Sequence, residues 1–267
     1  MEAPPIARKQ NRLLAEERRQ KIREVLDRDG RVTIEDIVAR FKVSAVTART
    51  DLDTLSERGD ALRSHGGAVR QLNPAVDYPL RFKEGIHHAE KARIGHAAAE
   101  LIRPNQTIIL DSGTTTAQIA RRIKTAHIHP LTVITNALNI ACELAEVEGV
   151  SLIVIGGLLR HASNSLVGPQ AERMLADLHA DHLFLAVDGL HPEEGFSTPD
   201  ILEAQLNTVM IRVSSQVTVV ADASKFGRRS LSLIGKLNCA QRIITDSRVS
   251  NDTAAAIRAK GLELVVV

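Results

Sequence analysis

From Thr107 onward, seven short β-branched runs, "TIIL", "LTVIT", "VSLIVIG", "HLFLAV", "VTVVA", "RIITD" and "LELVVV", alternate with amphipathic stretches such as "AQIARRI", "ALNIACELAE" and "ILEAQLNTVMIRVSS". A strand that is apolar along its whole length has no face to give to water. It must be covered on both sides, and helices delivered by crossover connections provide that cover. The alternation therefore predicts an α/β domain with a mostly parallel sheet over residues 87–267, entered through a helix in "HHAEKARIGHAAAELI". In such domains ligands bind beyond the carboxyl ends of the strands.

Residues 15–70 are written differently. "ERRQKIREVLDRDG" places Ile22, Val25 and Leu26 on one helical face and ends at Gly30, a C-cap residue. Thr33 offers an N-cap to "IEDIVARF", whose Ile34, Ile37, Val38 and Phe41 repeat at helical spacing. That pattern stops at "KV", and Ser44 can cap a third helix in which Ala48, Leu52 and Leu55 pack while Ala45, Thr47, Arg49, Thr50 and Asp53 lie on other faces. Gly59, Gly66 and Gly67 permit tight turns, so that "ALRSH" and "AVR" can pair as a hairpin. This order is that of a winged helix-turn-helix, whose third helix fits the major groove of DNA. Ser44, Thr47, Arg49 and Thr50 then become candidate DNA-binding residues, set against the plainer reading of an exposed polar face on a three-helix bundle. Residues 71–86, interrupted by Pro74 and Pro79, read as a linker.

Composition removes several alternatives. Aromatic residues make up 2% of the chain, with no Trp, which argues against stacked platforms for single-stranded nucleic acid. Cys142 and Cys239 have no Cys-x-x-Cys partner, lie among apolar or small neighbours and read as buried free thiols in a reducing cytoplasm. No apolar run approaches the roughly 18 residues of a membrane span, and the expectation is a cytoplasmic protein without a membrane partner. Net charge is +2, yet Arg8, Lys9, Arg12, Arg18, Arg19, Lys21, Arg23, Arg28 and Arg31 could form a basic face. His87, His88, His127 and His129 lack the spacing of a zinc hydrolase, and no Ser sits in a nucleophile elbow. No metal, cofactor or catalytic residue is therefore expected.

The strand ends carry the polar chemistry. "TIIL" runs into Asp111, Ser112, Gly113, Thr114, Thr115 and Thr116 at a helix start, where backbone N–H groups and hydroxyls suit a phosphate. The same residues could serve only as caps. Further ends fall at Thr135 and Asn136, at Gly156 and Gly157, at Asp188, and at Asp222 with Lys225. Lys225 supplies a cation, while Asn136, Asp188 and Asp222 could bind sugar hydroxyls. Ser197 or Thr198 before Pro199 marks a further helix start, and Glu203 one turn in either faces the pocket or favours the helix dipole.

These residues resemble a known family. "SAVTARTDLDTLSERGDALRSHGGAV" carries the N-terminal signature of the DeoR family of transcriptional regulators, and "LDSGTTT", "VITNALNIA", "IGGLLR", "VDGL" and "ADASKFG" carry its second domain. The resemblance runs from about Glu17 to Val267 and implies a winged helix followed by a sugar-phosphate-sensing domain similar to ribose-5-phosphate isomerase. The usual Thr-Ile-Arg-Arg-Asp-Leu is here Thr47-Ala48-Arg49-Thr50-Asp51-Leu52, which thins the buried face and removes one cation. "NSLVGPQAE" and "GFSTPDILEAQLN" resemble the amino-sugar subgroup, including N-acetylgalactosamine pathways. The resemblance implies a repressor that binds double-stranded operator DNA, with His65 in the wing as a further contact, and is released by a phosphorylated sugar. It also implies a homo-oligomer, dimer or tetramer. The competing expectation is a sugar-phosphate isomerase or deaminase-like enzyme with an accessory N-terminal domain, using Asp111, Glu203 and Lys225 as acid-base groups.

Overall fold

The computed structural model describes residues 14–58, 60–64, 66–70, 77–126 and 128–267, and divides the chain into two units, Met1–Leu72 and Asn73–Val267. In the first unit, α1 (Ala15–Asp29) buries Ile22, Val25 and Leu26 and ends at Gly30, whose φ of 76° and N–H donated to the Leu26 carbonyl make it a left-handed C-cap. Then β1 (Arg31–Thr33) leads into α2 (Ile34–Phe41), closed by a capping box: Asp36 N–H donates to Thr33 Oγ1 and Thr33 N–H to Asp36 Oδ2, both at 3.0 Å. Lys42, left-handed at φ 55°, turns the chain so that Ser44 can cap α3 (Ala45–Glu57) by accepting from Thr47 N–H at 3.1 Å.

The hairpin β2 (Leu62–Ser64) and β3 (Gly67–Val69) forms as its glycines suggest, and β1 adds a third antiparallel strand in the order β1-β3-β2. That third strand changes the reading of Gly67, which the sequence assigned to a turn. Gly67 lies in β3 against β1, where a Cβ would sit 2.1 Å from the Val32 carbonyl oxygen. Gly59 and His65 lie outside the described residues.

What locks α1 to α3 is polar. Asp51 lies in the buried stripe with Ala48, Leu52 and Leu55, only 1% exposed, and accepts from Arg18 Nε at 2.5 Å, Arg18 Nη2 at 3.2 Å and Arg19 Nε at 3.1 Å. The basic face expected along α1 is largely consumed in this way. Arg19 also pairs with Glu16, Arg23 with Asp60 and Arg28 with Asp29, while Arg8, Lys9 and Arg12 lie outside the described residues. Asp51→Ala strands two arginines beside the helix interface. It is expected to cost about 3 kcal/mol or more, read as a shift of the first unit's transition in urea unfolding of the whole chain. A loss below about 1 kcal/mol would place the pair with solvent-exposed bridges instead.

The second unit is an α/β domain. Its strands β4 (Thr107–Leu110), β5 (Leu131–Thr135), β6 (Val150–Val154), β9 (Ala180–Ala186), β12 (Ser214–Val220), β14 (Arg242–Thr245) and β15 (Glu263–Val266) form one parallel sheet ordered β15-β14-β12-β9-β4-β5-β6. All seven apolar runs read from the sequence are strands of this sheet. The intervening helices are α5 (His88–Ala99), α6 (Thr114–Ala126), α7 (Leu138–Leu144), α8 (Pro169–Ala176), α9 (Ile201–Arg212) and α10 (Asn251–Ala259). Two separate cores, one around Ile109, Leu183, Leu185 and Val219, the other around Ile108, Leu110, Phe184 and Val220, correspond to alternate residues of the central strands.

Smaller elements went unread in the sequence. The hairpin β7 (Leu158–Arg160) and β8 (Ser165–Val167), and the sheet of β10 (Gly189–His191), β11 (Gly195–Thr198) and β13 (Ser232–Gly235), are antiparallel additions at the carboxyl side of the main strands. Ser197 and Thr198 belong to β11, so the cap of α9 is Asp200, which accepts from Glu203 N–H at 2.9 Å. The segment expected as a linker over 71–86 has its first six residues outside the described part. Its remainder holds α4 (Leu80–Gly85) and buries Tyr78, Leu80, Phe82 and Ile86 in the second unit. Pro79 does not interrupt structure there; it is the residue from which α4 starts.

At the centre of the sheet His182 is 2% exposed, its Nε2 lies 2.8 Å from Thr218 Oγ1, and its ring stacks on Phe184 at 4.3 Å. Burial, aided by Arg242, lowers its pKa from 6.5 to about 4. The unfolded chain therefore binds the extra proton between those values. Stability should be whole above pH 6.5 and decline by about 3 kcal/mol as the pH falls toward 4. Denaturation midpoints measured from pH 7 to 4.5 should show this slope, and His182→Asn should flatten it.

Candidate functional site

Two surfaces gather the sequence-predicted residues. On α3, Ser44, Arg49 and Thr50 are exposed and Thr47 is half-exposed, while Ala48, Leu52 and Leu55 face the core. Hydrogen bonding alters what this face presents. Ser44 Oγ and Thr47 Oγ1 lie 2.9 Å apart, and Thr50 Oγ1 donates to the Val46 carbonyl at 3.1 Å, so these hydroxyls are largely satisfied within the helix. Val46, 68% exposed beside them, adds an apolar side chain to this face. Arg63, in the hairpin, pairs with Asp53 at 2.9 Å and ties the wing to α3. His65 cannot be placed, since it lies outside the described residues.

The second surface lies where the sheet reverses its direction of growth. After β4 the chain adds β5 and β6 on one side, and later β9 on the other, so the ends of β4 and β9 diverge. Asp111, fully buried, spans them: Ser112 N–H donates to Oδ1 at 2.6 Å and Ala186 N–H to Oδ2 at 3.2 Å. Burial and the neighbouring Glu203 push its pKa well up, against the pull of those two N–H groups. Gly113 follows because nothing larger fits, as a Cβ would stand 2.8 Å from that of Ala186.

A cavity of about 40 Å3 opens beside this turn, lined by Ser112, Gly113, Thr114, Asp188, Thr198 and Glu203, and on its other side by Leu80, Lys83, Ala162 and Ser163. Glu203 does face the pocket. It accepts from Ser112 Oγ at 3.2 Å and Thr198 Oγ1 at 3.0 Å, with Arg160 Nη1 at 3.3 Å. Burial raises its pKa despite Arg160. For Asp188 the balance is opposite: burial alone would raise it, but Lys225 at 2.8 Å and Lys83 at 3.1 Å hold it well below the carboxylate range.

The remaining predicted residues stand apart from the cavity wall. Thr115 and Thr116 turn into the protein, the latter donating to the Gly113 carbonyl at 3.1 Å. Thr135 Oγ1 donates to the Leu110 carbonyl at 2.7 Å, joining two strands. Asn136 is buried, its Nδ2 donating to the Leu166 carbonyl at 3.2 Å and its Oδ1 without a hydrogen-bond partner among the described residues. Gly156 and Gly157 are exposed at the entry to β7, and Gly157 lets the Val167 carbonyl pass where a Cβ would be 2.6 Å away. Asp222 caps the turn at Ser224, and Lys225 reaches the site only through Asp188. For Asp222, burial is outweighed by Lys91 and Lys225, which keep it ionised.

Residues that sequence reasoning missed come from outside the strand pattern. Lys83 is the cation in the cavity wall, and it sits in the segment read as a linker. Arg160 gathers Asp77, Asp200 at 3.1 Å and Glu203. Lys91, 4% exposed with its pKa lowered by burial to about 8, donates to the Lys83 carbonyl at 2.6 Å. Nothing in the local residue pattern marks these cations, since each takes its role from partners distant in sequence or from burial. Conversely, the thiols expected to be buried are not, Cys142 being exposed and Cys239 half-buried.

A three-helix unit with a wing, followed by a parallel α/β unit with a polar cavity at its reversal point, is the build of a ligand-responsive transcriptional regulator. Family models agree: the DeoR-like helix-turn-helix domain matches residues 18–72 and the DeoR C terminal sensor domain matches residues 86–247. The chain is 40% identical over 253 residues to a putative aga operon transcriptional repressor of Escherichia coli O157:H7, covering 94% of this chain and 93% of that one. It is 36% identical over 233 residues to the transcriptional repressor AccR of Agrobacterium fabrum, with 87% and 90% covered. A solved ribose 5-phosphate isomerase A from Methanocaldococcus jannaschii aligns with a TM-score of 0.39 at 14% identity, over 52% of this chain and 55% of that one. The chain belongs to the DeoR family of transcriptional regulators. Its relatives are regulators, which sets aside the isomerase or deaminase reading. No helix among the described residues is long and apolar enough to cross a membrane.

Gly113→Ala should cost about 1–3 kcal/mol by forcing β4 and β9 apart at their ends. Chemical denaturation of the second unit's transition measures it, and an unchanged midpoint would mean the turn has slack that the 2.8 Å approach does not show.

Proposed function

We propose that this protein is a repressor of a carbohydrate catabolic operon, within that class an amino-sugar operon, and that a phosphorylated sugar bound at the carboxyl ends of β4 and β9 releases it from operator DNA. The observation that carries the reading is the cavity at Ser112, Gly113 and Thr114, where a helix start, hydroxyls and Lys83 converge on one small volume. Asp188 and Glu203 in the same wall suit sugar hydroxyls, or the amide of an N-acetylated hexosamine. The likeness to the aga operon repressor across nearly the whole chain supports the amino-sugar assignment.

In this reading Ser44, Thr47, Arg49 and Thr50 meet the major groove, with Arg49 on guanine or phosphate. The hairpin, with His65, lies along the backbone. Paired α3 helices in a homo-oligomer, dimer or tetramer, read repeated half-sites. Release requires only that the effector prefer the non-binding arrangement, by a coupling of roughly 1–3 kcal/mol.

Gel-shift titration against the DNA upstream of its own and neighbouring genes tests the reading, with N-acetylgalactosamine 6-phosphate, galactosamine 6-phosphate and glucose 6-phosphate added in turn. A specific complex should form and be dissolved by an amino-sugar phosphate. Arg49→Ala should weaken the complex about tenfold or more and lower the slope of log affinity on log salt by about 1. Absence of any retarded band at low salt would overturn the assignment.

A further inference from the structure

The cavity is too small for the ligand class its chemistry suits. About 40 Å3 holds a few waters, whereas pockets for small organic ligands run to roughly 300 Å3 and more. Something in the wall must leave. Ser112–Thr114 and Asp188 are anchored at ends of sheet strands, and Thr198 and Glu203 on β11 and α9. The turn bearing Ala162 and Ser163 is tied by the Ser163–Ser165 hydroxyl pair at 2.6 Å and by Leu138 N–H on the Asn164 carbonyl at 2.9 Å. That leaves α4, a six-residue helix without a side-chain cap, which inserts Leu80 and Lys83.

The charges around α4 fit displacement. Asp188 carries two lysines, Lys225 at 2.8 Å and Lys83 at 3.1 Å, so it remains paired if Lys83 departs to an incoming anion. Arg160 carries three carboxylates, and keeps Asp200 and Glu203 if Asp77 departs. Both of these ion-pair connections are thus one more than the partner requires. What displacement must break besides them is the Leu80 N–H bond to the Ala162 carbonyl, the Lys91 bond to the Lys83 carbonyl and the burial of Leu80. Asp77 lies five residues beyond Leu72, where the first unit ends in the chain.

We propose that the segment 77–85 is the effector-displaced element of the sensor: an anionic sugar derivative held at Ser112–Thr114 takes Lys83 from Asp188 and expels Leu80 and Asp77 from their seats. Lys83 becomes the ligand's cation, and Lys225 the group that keeps Asp188 neutralised. Occupancy is thereby passed to the stretch of chain that leads to the DNA-binding unit. This rests on the sugar-phosphate reading above.

Hydrogen exchange of the full-length protein, with and without saturating N-acetylgalactosamine 6-phosphate or whichever sugar phosphate of the panel binds by calorimetry, tests it. Amides of 112–116 should slow while those of 80–86, including Leu80 N–H now donated to the Ala162 carbonyl, should exchange at least tenfold faster. Two substitutions should act in opposite senses by calorimetry. Lys83→Met should weaken the same sugar phosphate tenfold or more, whereas Asp77→Asn, which loosens the segment without touching ligand, should tighten it severalfold because the competent state is more populated. Slowing or no change at 80–86 with 112–116 protected, or weaker binding by Asp77→Asn with an unaltered circular dichroism spectrum, would overturn the proposal and leave the effector reading standing. Failure of every sugar phosphate to bind the unsubstituted protein would remove the reading itself, and this inference with it.

Discussion

Two neighbouring parallel strands whose chains leave in opposite directions cannot remain paired past their ends, and the gap between β4 and β9 is the constraint around which the second unit is organised. Asp111 fills it. A single carboxyl accepts the first unpaired N–H on each side, from Ser112 and from Ala186, and so substitutes for the missing ladder. Because that carboxyl is buried, the residues next to it must be small enough to close over it and polar enough to tolerate it. Gly113 and the hydroxyls of Ser112 and Thr114 meet both demands, and the cavity is the space left above them.

Polar contacts also fix the first unit, by a different route. Among the described residues a core of aliphatic side chains packs α1 against α3, and the Arg18–Asp51 pair adds a directional contact that favours one register. The register matters because α3 is positioned for its outer face only through its inner one. Around Arg160 and Asp188, ion pairs join the buried side chains of Tyr78, Leu80, Phe82 and Ile86 in holding a short helix in place.

How much of this was legible follows from the physics of each element. All seven apolar runs were strands of the main sheet; burial on both faces explains the composition of the inner five, while the edge strands β6 and β15 carry the same pattern although only partly buried. The antiparallel pieces did not declare themselves, since "GLH" or "LLR" carries too few residues for periodicity, and pairing is imposed by neighbours distant in sequence. For the site, strand-end positions were readable at Ser112, Gly113, Thr114 and Asp188, because a strand's end fixes where its next residues point, whereas Glu203, one turn into α9, was left open between the pocket and the helix dipole. Lys83, Arg160 and Asp77 were not readable, since each acquires its meaning from a partner across the fold. Asp51 stood in plain view, a carboxylate in an apolar stripe, and its explanation is Arg18 and Arg19 on α1, two helices earlier in the chain.

The outer face of α3 reads as polar by composition, yet Thr50 donates its hydroxyl back to the Val46 carbonyl, and Ser44 and Thr47 engage each other. In the proposed role such a helix would bring the methyl-bearing side chains of Val46, Thr47 and Thr50 to a groove around one arginine, Arg49. Methyl surfaces distinguish bases by the water they expel, most directly against the thymine methyl. Ions are exchanged only where phosphates are neutralised. In the proposed role, discrimination by those methyl groups would draw on expelled water and attachment at phosphates on released counterions, so the two contributions would answer differently to salt.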